Sequence, residues 1–437
     1  MSIWSRAKGL AAQTPSDRNR YVDFLRAISI LVVITGHWLI AAFYYHDGSL
    51  TADDLLEIEP RAQWLTWAFQ VMPIFFIVGG YANAVSLESA HRREAGYADW
   101  LSRRLVRLIT PLLALIVGWA LLAIALRAGG VSGNVIGLAS RAALIPTWFL
   151  AIYIMVVVLA PATYSAWRRW GFWSFWAFVA VGSLVDICFF AADLRWMGWS
   201  NYFWIWLAVH HLGYAWRDGR IGGPAQLLAC SAIALAALVL LVFIGPFPIA
   251  MAGSPDEAIS NSLPPKITLL LLGVFQFGLF MAVEKPMRRV LSGLRVWTAT
   301  VLINSMIMTV YLWHVTVMVV LVSLAYRAGG VGLELEPGSP EWWLSRPIWL
   351  AVLCAALLPV TLLLAPLERR ARAADAPAPS AARLVGGAVL VCLGVAMLSY
   401  FGFGTTPVRG IDVAAFLMVL AGAAISGLLM SLANKKS

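Results

Sequence analysis

The chain has 437 residues, 61% of them hydrophobic and only 12% charged, with 21 tryptophans and a net charge of +10. That balance excludes a soluble globular domain, and the length allows ten or more membrane spans. The positive charge does not imply a nucleic-acid partner, because the basic residues follow a membrane topology and are not gathered into one patch.

The first apolar stretch, 22–45, reads VDFLRAISILVVITGHWLIAAFYY. It is long enough to span a bilayer and too long for a cleavable signal, and no small-residue cleavage site follows, so it reads as a signal anchor. It nevertheless holds Asp23, Arg26 and His37. Each ionisable group inside a span costs about 2.5–3.5 kcal/mol even on lenient scales. Eleven residues at 100° each place His37 about 20° past three full turns from Arg26, on one face and about 16 Å along the axis. Asp23 sits one turn before Arg26 and can pair with it. Arg26 alone could snorkel to the headgroups as a plain anchor. His37 falls near mid-bilayer, where a polar group marks function.

Further spans are expected at 63–86, 105–127, 147–166, 172–192, 201–216, 225–246, 267–283, 298–326, 347–366, 384–403 and 413–431, which makes twelve with the first. The fold class is therefore an all-α polytopic membrane protein, with a ten-helix core and two helices after it. With the N-terminus inside, the cytoplasmic segments hold 23 of the 32 lysines and arginines, and the outside loops hold eight. The positive-inside rule then puts both termini in the cytoplasm. The chain divides into an N-terminal segment 1–21, a core 22–370, a Pro/Ala linker 371–383 and a C-terminal pair 384–437, read as accessory and separate from the chemistry. The four cysteines all lie in apolar runs, offer no disulfide or zinc pattern, and read as small core residues.

Several groups within the core can carry chemistry. The second span ends QVMPIFFIVGGYANAVS, where Pro73 and the pair Gly79–Gly80 fit either close approach of a ligand or a notch for helix packing. Arg104 and Arg107 lie one turn apart where the third span leaves the cytoplasm, able to grip phosphate or simply to anchor the helix. Trp148, in PTWFL, fits an interfacial aromatic belt. Asp186, His210 and His211 lie in the fifth and sixth spans. The ninth holds Asn304, Tyr311 and His314; a spacing of seven puts Asn304 and Tyr311 on one face, with His314 a turn beyond. No pair of histidines has the i,i+4 spacing of a helical metal site, so no metal is expected.

Together these residues resemble the acyltransferase-3 family, membrane-bound acyl-CoA-dependent O-acyltransferases that decorate bacterial envelope sugars. Arg26 and His37, ten residues between them in the first span with Asp23 ahead, are similar to that family's signature. Phe75, Phe76, Gly79, Gly80 and Tyr81 resemble its second-span motif, Arg104 and Arg107 its R-x-x-R, Trp148 its later tryptophan, and Tyr311 and His314 its Tyr-x-x-His. Pro366–Glu368 resembles the edge on which its core closes, so the likeness covers about 20–370. It departs at Ala27, where glycine is usual, and at Gly79, where serine is usual. Some members carry a fused extracellular hydrolase-like domain where this chain has its C-terminal pair.

The resemblance implies an enzyme of the bacterial cytoplasmic membrane with no bound cofactor. Its co-substrate would be acyl-CoA, acetyl-CoA foremost, and its acceptor an envelope sugar or glycolipid hydroxyl. Arg104 and Arg107, with Gly79 and Gly80, would hold the acyl-CoA. His37 would be the general base, and Arg26, oriented by Asp23, would position the donor or stabilise charge on the thioester oxygen. Trp148, Tyr311, His314 and Asn304 would serve the acceptor. No G-x-S-x-G nucleophile elbow occurs, which favours direct transfer, while an acyl-histidine intermediate stays open. The competing reading is a twelve-helix secondary transporter, which gives no reason for an Arg/His line together with a basic cytoplasmic pair.

Overall fold

The computed structural model describes residues 3–15, 18–253, 258–372, 378–404 and 410–428; the middle of the expected linker, 373–377, and the last residues, 429–437, lie outside them. A short helix α1 (Ile3–Ala12) precedes α2 (Arg20–Ile40). The Asn19 side chain accepts from the Tyr21 amide at 3.1 Å and so caps the start of α2. The helix ends before the expected residue 45. Ala41–His46 forms strand β1 and pairs with β2 (Ser49–Asp54). The reversal lies at Asp47 and Gly48, with φ of 48° and 78°. An Asp-Gly pair with both φ positive is the tight turn whose twist matches two strands, and the aromatic run before it is strand-forming.

Next come α3 (Met72–Arg92), α4 (Tyr97–Ala128), α5 (Gly133–Leu144), α6 (Thr147–Trp170), α7 (Phe172–Ala191), α8 (Asn201–Arg217) and α9 (Pro224–Ile244). The helix α10 (Ile267–Ala282) bends by 56° into α11 (Glu284–Val290). The expected ninth span is two helices, α12 (Leu294–Ser305) and α13 (Ile307–Arg327), broken at Met306. The residues before the break explain it. Thr298, Thr300 and Asn304 each donate to the carbonyl four residues back, and Ser305 donates to that of Leu302. Such side-chain bonds compete with the helical ladder and loosen it. Met306 supplies no side-chain cap to α13. That service comes from buried Glu368 near the end of α14 (Pro340–Arg372), which accepts from the Thr309 amide at 3.3 Å and hydroxyl at 3.0 Å. The helices α15 (Ala381–Phe401) and α16 (Ile411–Ile425) end the described chain.

Among the described residues, nine helices are long and apolar enough to cross a membrane, ten if the bent pair is one span; α8 has 17 residues and α16 has 15. The protein is thus an all-α polytopic membrane protein. Large apolar side chains such as Trp173, Phe243, Ile244 and Leu363 are exposed, a surface suited to lipid. Of the cysteines, Cys392 is buried and Cys188 half-buried, while Cys230 and Cys354 face outward, so they do not all join the core as expected.

The chain divides into two compact units, one of Met1–Ala42, Asp53–Glu88 and Ala160–Ser305, the other of Phe43–Ala52, Ser89–Leu159 and Met306–Ser437. In the first, α3 and α8 cross backbone to backbone. A Cβ on Gly80 would lie 2.1 Å from the His210 carbonyl oxygen, and one on Gly213 would lie 2.1 Å from that of Ile77. Phe76 stacks on Trp206 beside this crossing, ring centroids 4.4 Å apart. In the second, α15 packs on α16 and also on α4 and α5. Trp119 of α4 donates to Thr316 of α13 at 2.9 Å.

Candidate functional site

Helix α2 buries Asp23, Ala27, Ile30, Ile34 and Trp38, a stripe at spacings of three and four. Arg26 and His37 lie about 40° and 20° to the same side of Ile30, so they run along one edge of that stripe. Both are half-buried. Asp23 anchors the line. Arg18 forks onto its carboxylate, Nε to Oδ2 at 2.6 Å and Nη2 to Oδ1 at 3.1 Å, while Arg26 Nη1 reaches Oδ1 at 3.4 Å. The hydrogen bond to Asp23, with partial burial opposing, raises the Arg18 guanidinium above its ordinary pKa. Asn304 Nδ2 donates to the Asp23 carbonyl at 2.8 Å, tying α12 to the start of α2.

In the same unit Gly79 and Gly80 are buried at the crossing of α3 and α8, and contact with the His210 backbone accounts for Gly80 as a packing notch. One turn on, Asn83 Nδ2 lies 3.2 Å from His210 Nε2, both side chains fully buried. The neighbouring His211 turns Nδ1 to the Leu207 carbonyl at 2.7 Å instead. Tyr164 donates to Glu88 at 2.6 Å, and Arg217 pairs with the same carboxylate. Among the described residues no group of three or more His, Cys, Asp or Glu side chains is placed to hold a metal ion.

The second unit joins the start of α6 to α13. The Tyr311 hydroxyl donates to the Pro146 carbonyl at 2.7 Å, and Phe149 meets the Tyr311 ring edge-on at 5.8 Å between centroids. His314 Nδ1 lies 2.5 Å from the Tyr311 carbonyl and, facing an oxygen that only accepts, donates to it. Tyr311 and His314 are buried, while Trp148, between Pro146 and Phe149 in the sequence, stays half-buried. Arg104 of α4 is half-buried with its guanidinium 5.7 Å from the Trp100 ring, and Arg107, one turn on, is exposed.

The expectation for Asn304 needs correcting. Expected on one helix with Tyr311, it lies instead on α12 while Tyr311 lies on α13, with the break at Met306 between them. Arg18, ahead of the apolar stretch, is the site neighbour that hydropathy did not show; only its distance of five residues from Asp23 marks it.

Residues 19–365 match the acyltransferase domain family. No curated protein and no solved structure matches the chain. The family match opens on Asn19, the cap of α2, and runs into α14. It therefore takes in the Asp23–Arg26–His37 line, the α3–α8 crossing, the arginine pair of α4 and the Pro146–Tyr311 contact. With most of its length inside that match, the chain belongs to the acyltransferase-3 family and is an integral membrane acyltransferase.

Proposed function

We propose that the protein moves an acyl group, acetyl foremost, from acyl-CoA to a hydroxyl of a cell-envelope carbohydrate or glycolipid, with His37 as the general base. The observation that carries this reading is α2. Its unbroken run from Arg20 to Ile40 puts the Asp23–Arg26 pair and a half-buried imidazole three turns apart along one edge.

The chemistry follows from the groups. Neutral His37 takes the acceptor hydroxyl proton as that oxygen attacks the thioester carbonyl. Arg26, fixed by Asp23, stabilises the developing oxyanion. Collapse breaks the C–S bond, and the CoA thiolate regains a proton from the imidazolium. Arg104 and Arg107 grip the CoA phosphates, while Gly80 serves the packing of α3 on α8 and not the donor. Trp148, Tyr311 and His314 serve the acceptor, and Asn304 supports the start of α2 through the Asp23 carbonyl. The basic residues favour both termini in the cytoplasm of a bacterial inner membrane.

The test is thiol release from acetyl-CoA by the purified protein in lipid nanodiscs, with an envelope glycolipid extract as acceptor. Wild type should release CoA thiol and label the extract, and His37→Ala should do neither. Equal thiol release by the two proteins would sink the reading, and no release by wild type would restore the transporter alternative.

A further inference from the structure

The C-terminal helix α15 lies wholly beyond the residues that match the family, 19–365. Within the second unit it nonetheless bonds repeatedly to the segment that carries Trp148. Ser399 Oγ lies 2.6 Å from Thr147 Oγ1, an interaction spanning 252 residues of sequence. The Phe403 amide donates to Ser140 Oγ of α5 at 2.8 Å, and Cys392 Sγ reaches the Ala151 carbonyl at 3.3 Å. Gly402, at φ +73°, permits that approach, since a Cβ there would sit 2.6 Å from the Gly137 carbonyl oxygen.

Thr147 is fully buried, and its hydroxyl also lies 2.6 Å from the Leu144 carbonyl. A hydroxyl has one proton to give. Ser399 Oγ has acceptors of its own in the Val395 carbonyl at 2.9 Å and the Leu144 carbonyl at 3.5 Å, so the 2.6 Å contact joins the two hydroxyls whichever of them donates. The residue before Thr147 is Pro146, whose carbonyl accepts from Tyr311, and the residue after it is Trp148. The turn is therefore held by α13 through Pro146 and by α15 through Thr147, with Trp148 the next side chain.

We infer that α15 is part of the acceptor site's support and that Ser399, acting through Thr147, is a positioning residue for Trp148. This rests on the acceptor role proposed for Trp148. A tryptophan presented to a sugar recognises it by face-on contact, so its tilt sets which acceptors fit. The C-terminal pair, expected from sequence to stand apart from the chemistry, then tunes acceptor choice.

The test uses the full-length protein in nanodiscs, varying acetyl-CoA and an envelope glycolipid extract separately and reading initial thiol release. Ser399→Ala and Thr147→Val should each raise the half-saturating extract concentration about two- to tenfold, as loss of one hydrogen bond does. The double variant should add little to the larger single effect, because both break one contact. Thr147→Ser should restore wild-type behaviour, and half-saturation by acetyl-CoA should not move in any of them. A role in folding alone would lower the yield or the maximal rate and leave the acceptor constant unchanged, and that result overturns the inference. Trp148→Ala separates the two levels. If it raises the acceptor constant while Ser399→Ala does not, α15 is not the support and the acceptor reading stands. If Trp148→Ala leaves the constant unchanged, the acceptor reading falls and this inference with it. Should Thr147→Val not fold, Ser399→Ala decides, since Ser399 is only half-buried.

Discussion

Arg18 and Asp23 form a forked pair at 2.6 Å and 3.1 Å, the arginine largely exposed and the carboxylate buried. Arg26 shares that carboxylate at the longer distance of 3.4 Å. The fork holds Asp23 in place, and Asp23 in turn orients Arg26. Because Arg18 faces solvent, a double-mutant cycle of Arg18→Ala with Asp23→Asn should give a coupling of only about 0.2–1 kcal/mol in thermal unfolding. Asp23→Asn should cut turnover about tenfold or more, and Arg18→Ala less, if Arg26 acts on the oxyanion. Equal turnover in Asp23→Asn and wild type would remove Asp23 from the machinery.

His37→Ala should lower turnover by about 10²–10⁴, the usual contribution of a general base. Half-saturation by acetyl-CoA should stay put, because a general base acts in the transition state rather than in donor binding. The variant should elute as a folded species on size-exclusion chromatography. Activity above about a tenth of wild type would assign His37 a structural role.

Arg104→Ala and Arg107→Ala should weaken acetyl-CoA binding by about ten- to hundredfold, the range of one charge-assisted hydrogen bond. The two should differ in their response to lysine. Arg104 holds its guanidinium 5.7 Å from the centre of the Trp100 ring, and a compact, strongly hydrated ammonium without the bidentate fork reproduces neither that contact nor a two-pronged phosphate grip, so Arg104→Lys should remain impaired. Exposed Arg107 should tolerate lysine better. Isothermal titration with acetyl-CoA reads both effects.

Two glycines in membrane helices should behave oppositely. A methyl on Gly80 would strike the His210 carbonyl at 2.1 Å, forcing α3 and α8 apart, so Gly80→Ala should lower melting temperature or abolish folding. Gly36 of α2 has open space around its Cβ position. Gly36→Ala should therefore be neutral or stabilise by up to about 1 kcal/mol through helix propensity. Differential scanning fluorimetry of the pair checks this, and a neutral Gly80→Ala would mean that the crossing is looser than described.

Lys266, in the connection ahead of α10, is fully buried with Nζ 3.8 Å from the Phe189 ring centre and 3.2 Å from the Pro264 carbonyl. Burial pushes its ammonium down to about 8 from 10.5, with the Asp186 charge opposing. Between those values the unfolded chain binds a proton that the folded chain has released, so stability rises with pH across that window and is flat below it. Wild type should melt higher at pH 9.5 than at pH 7.5, and Lys266→Met should flatten the difference. The same pH slope in both proteins would place its origin elsewhere.

How much of this was legible in the sequence depends on the range of the interaction. The line of Asp23, Arg26 and His37 could be read because a helix converts spacing into direction, and α2 is unbroken across all three. The same logic failed for Asn304 and Tyr311, since hydroxyl and amide side chains bonding back to the α12 carbonyls break the helix between them, and spacing does not record that competition. The end of α2 was misplaced because apolarity continues through Phe43–Tyr45, while Asp47–Gly48 just beyond dictates a hairpin. Thr147 and Ser399 were beyond reach altogether. Each is an unremarkable hydroxyl in an apolar run, and only folding across 252 residues gives them meaning.

The carboxylate that caps α13 also sets where the chain can be shortened. Glu368 lies three positions past residue 365, where the family match stops. A protein cut at that limit would keep every proposed catalytic and donor-binding side chain and still lose the acceptor for the Thr309 amide and hydroxyl. The helix bearing Tyr311 and His314 would then start with open donors at its first turn. An intact start of α13 therefore requires the chain to run at least past the α14 glutamate, and the acceptor support inferred for Ser399 requires it to run on through α15.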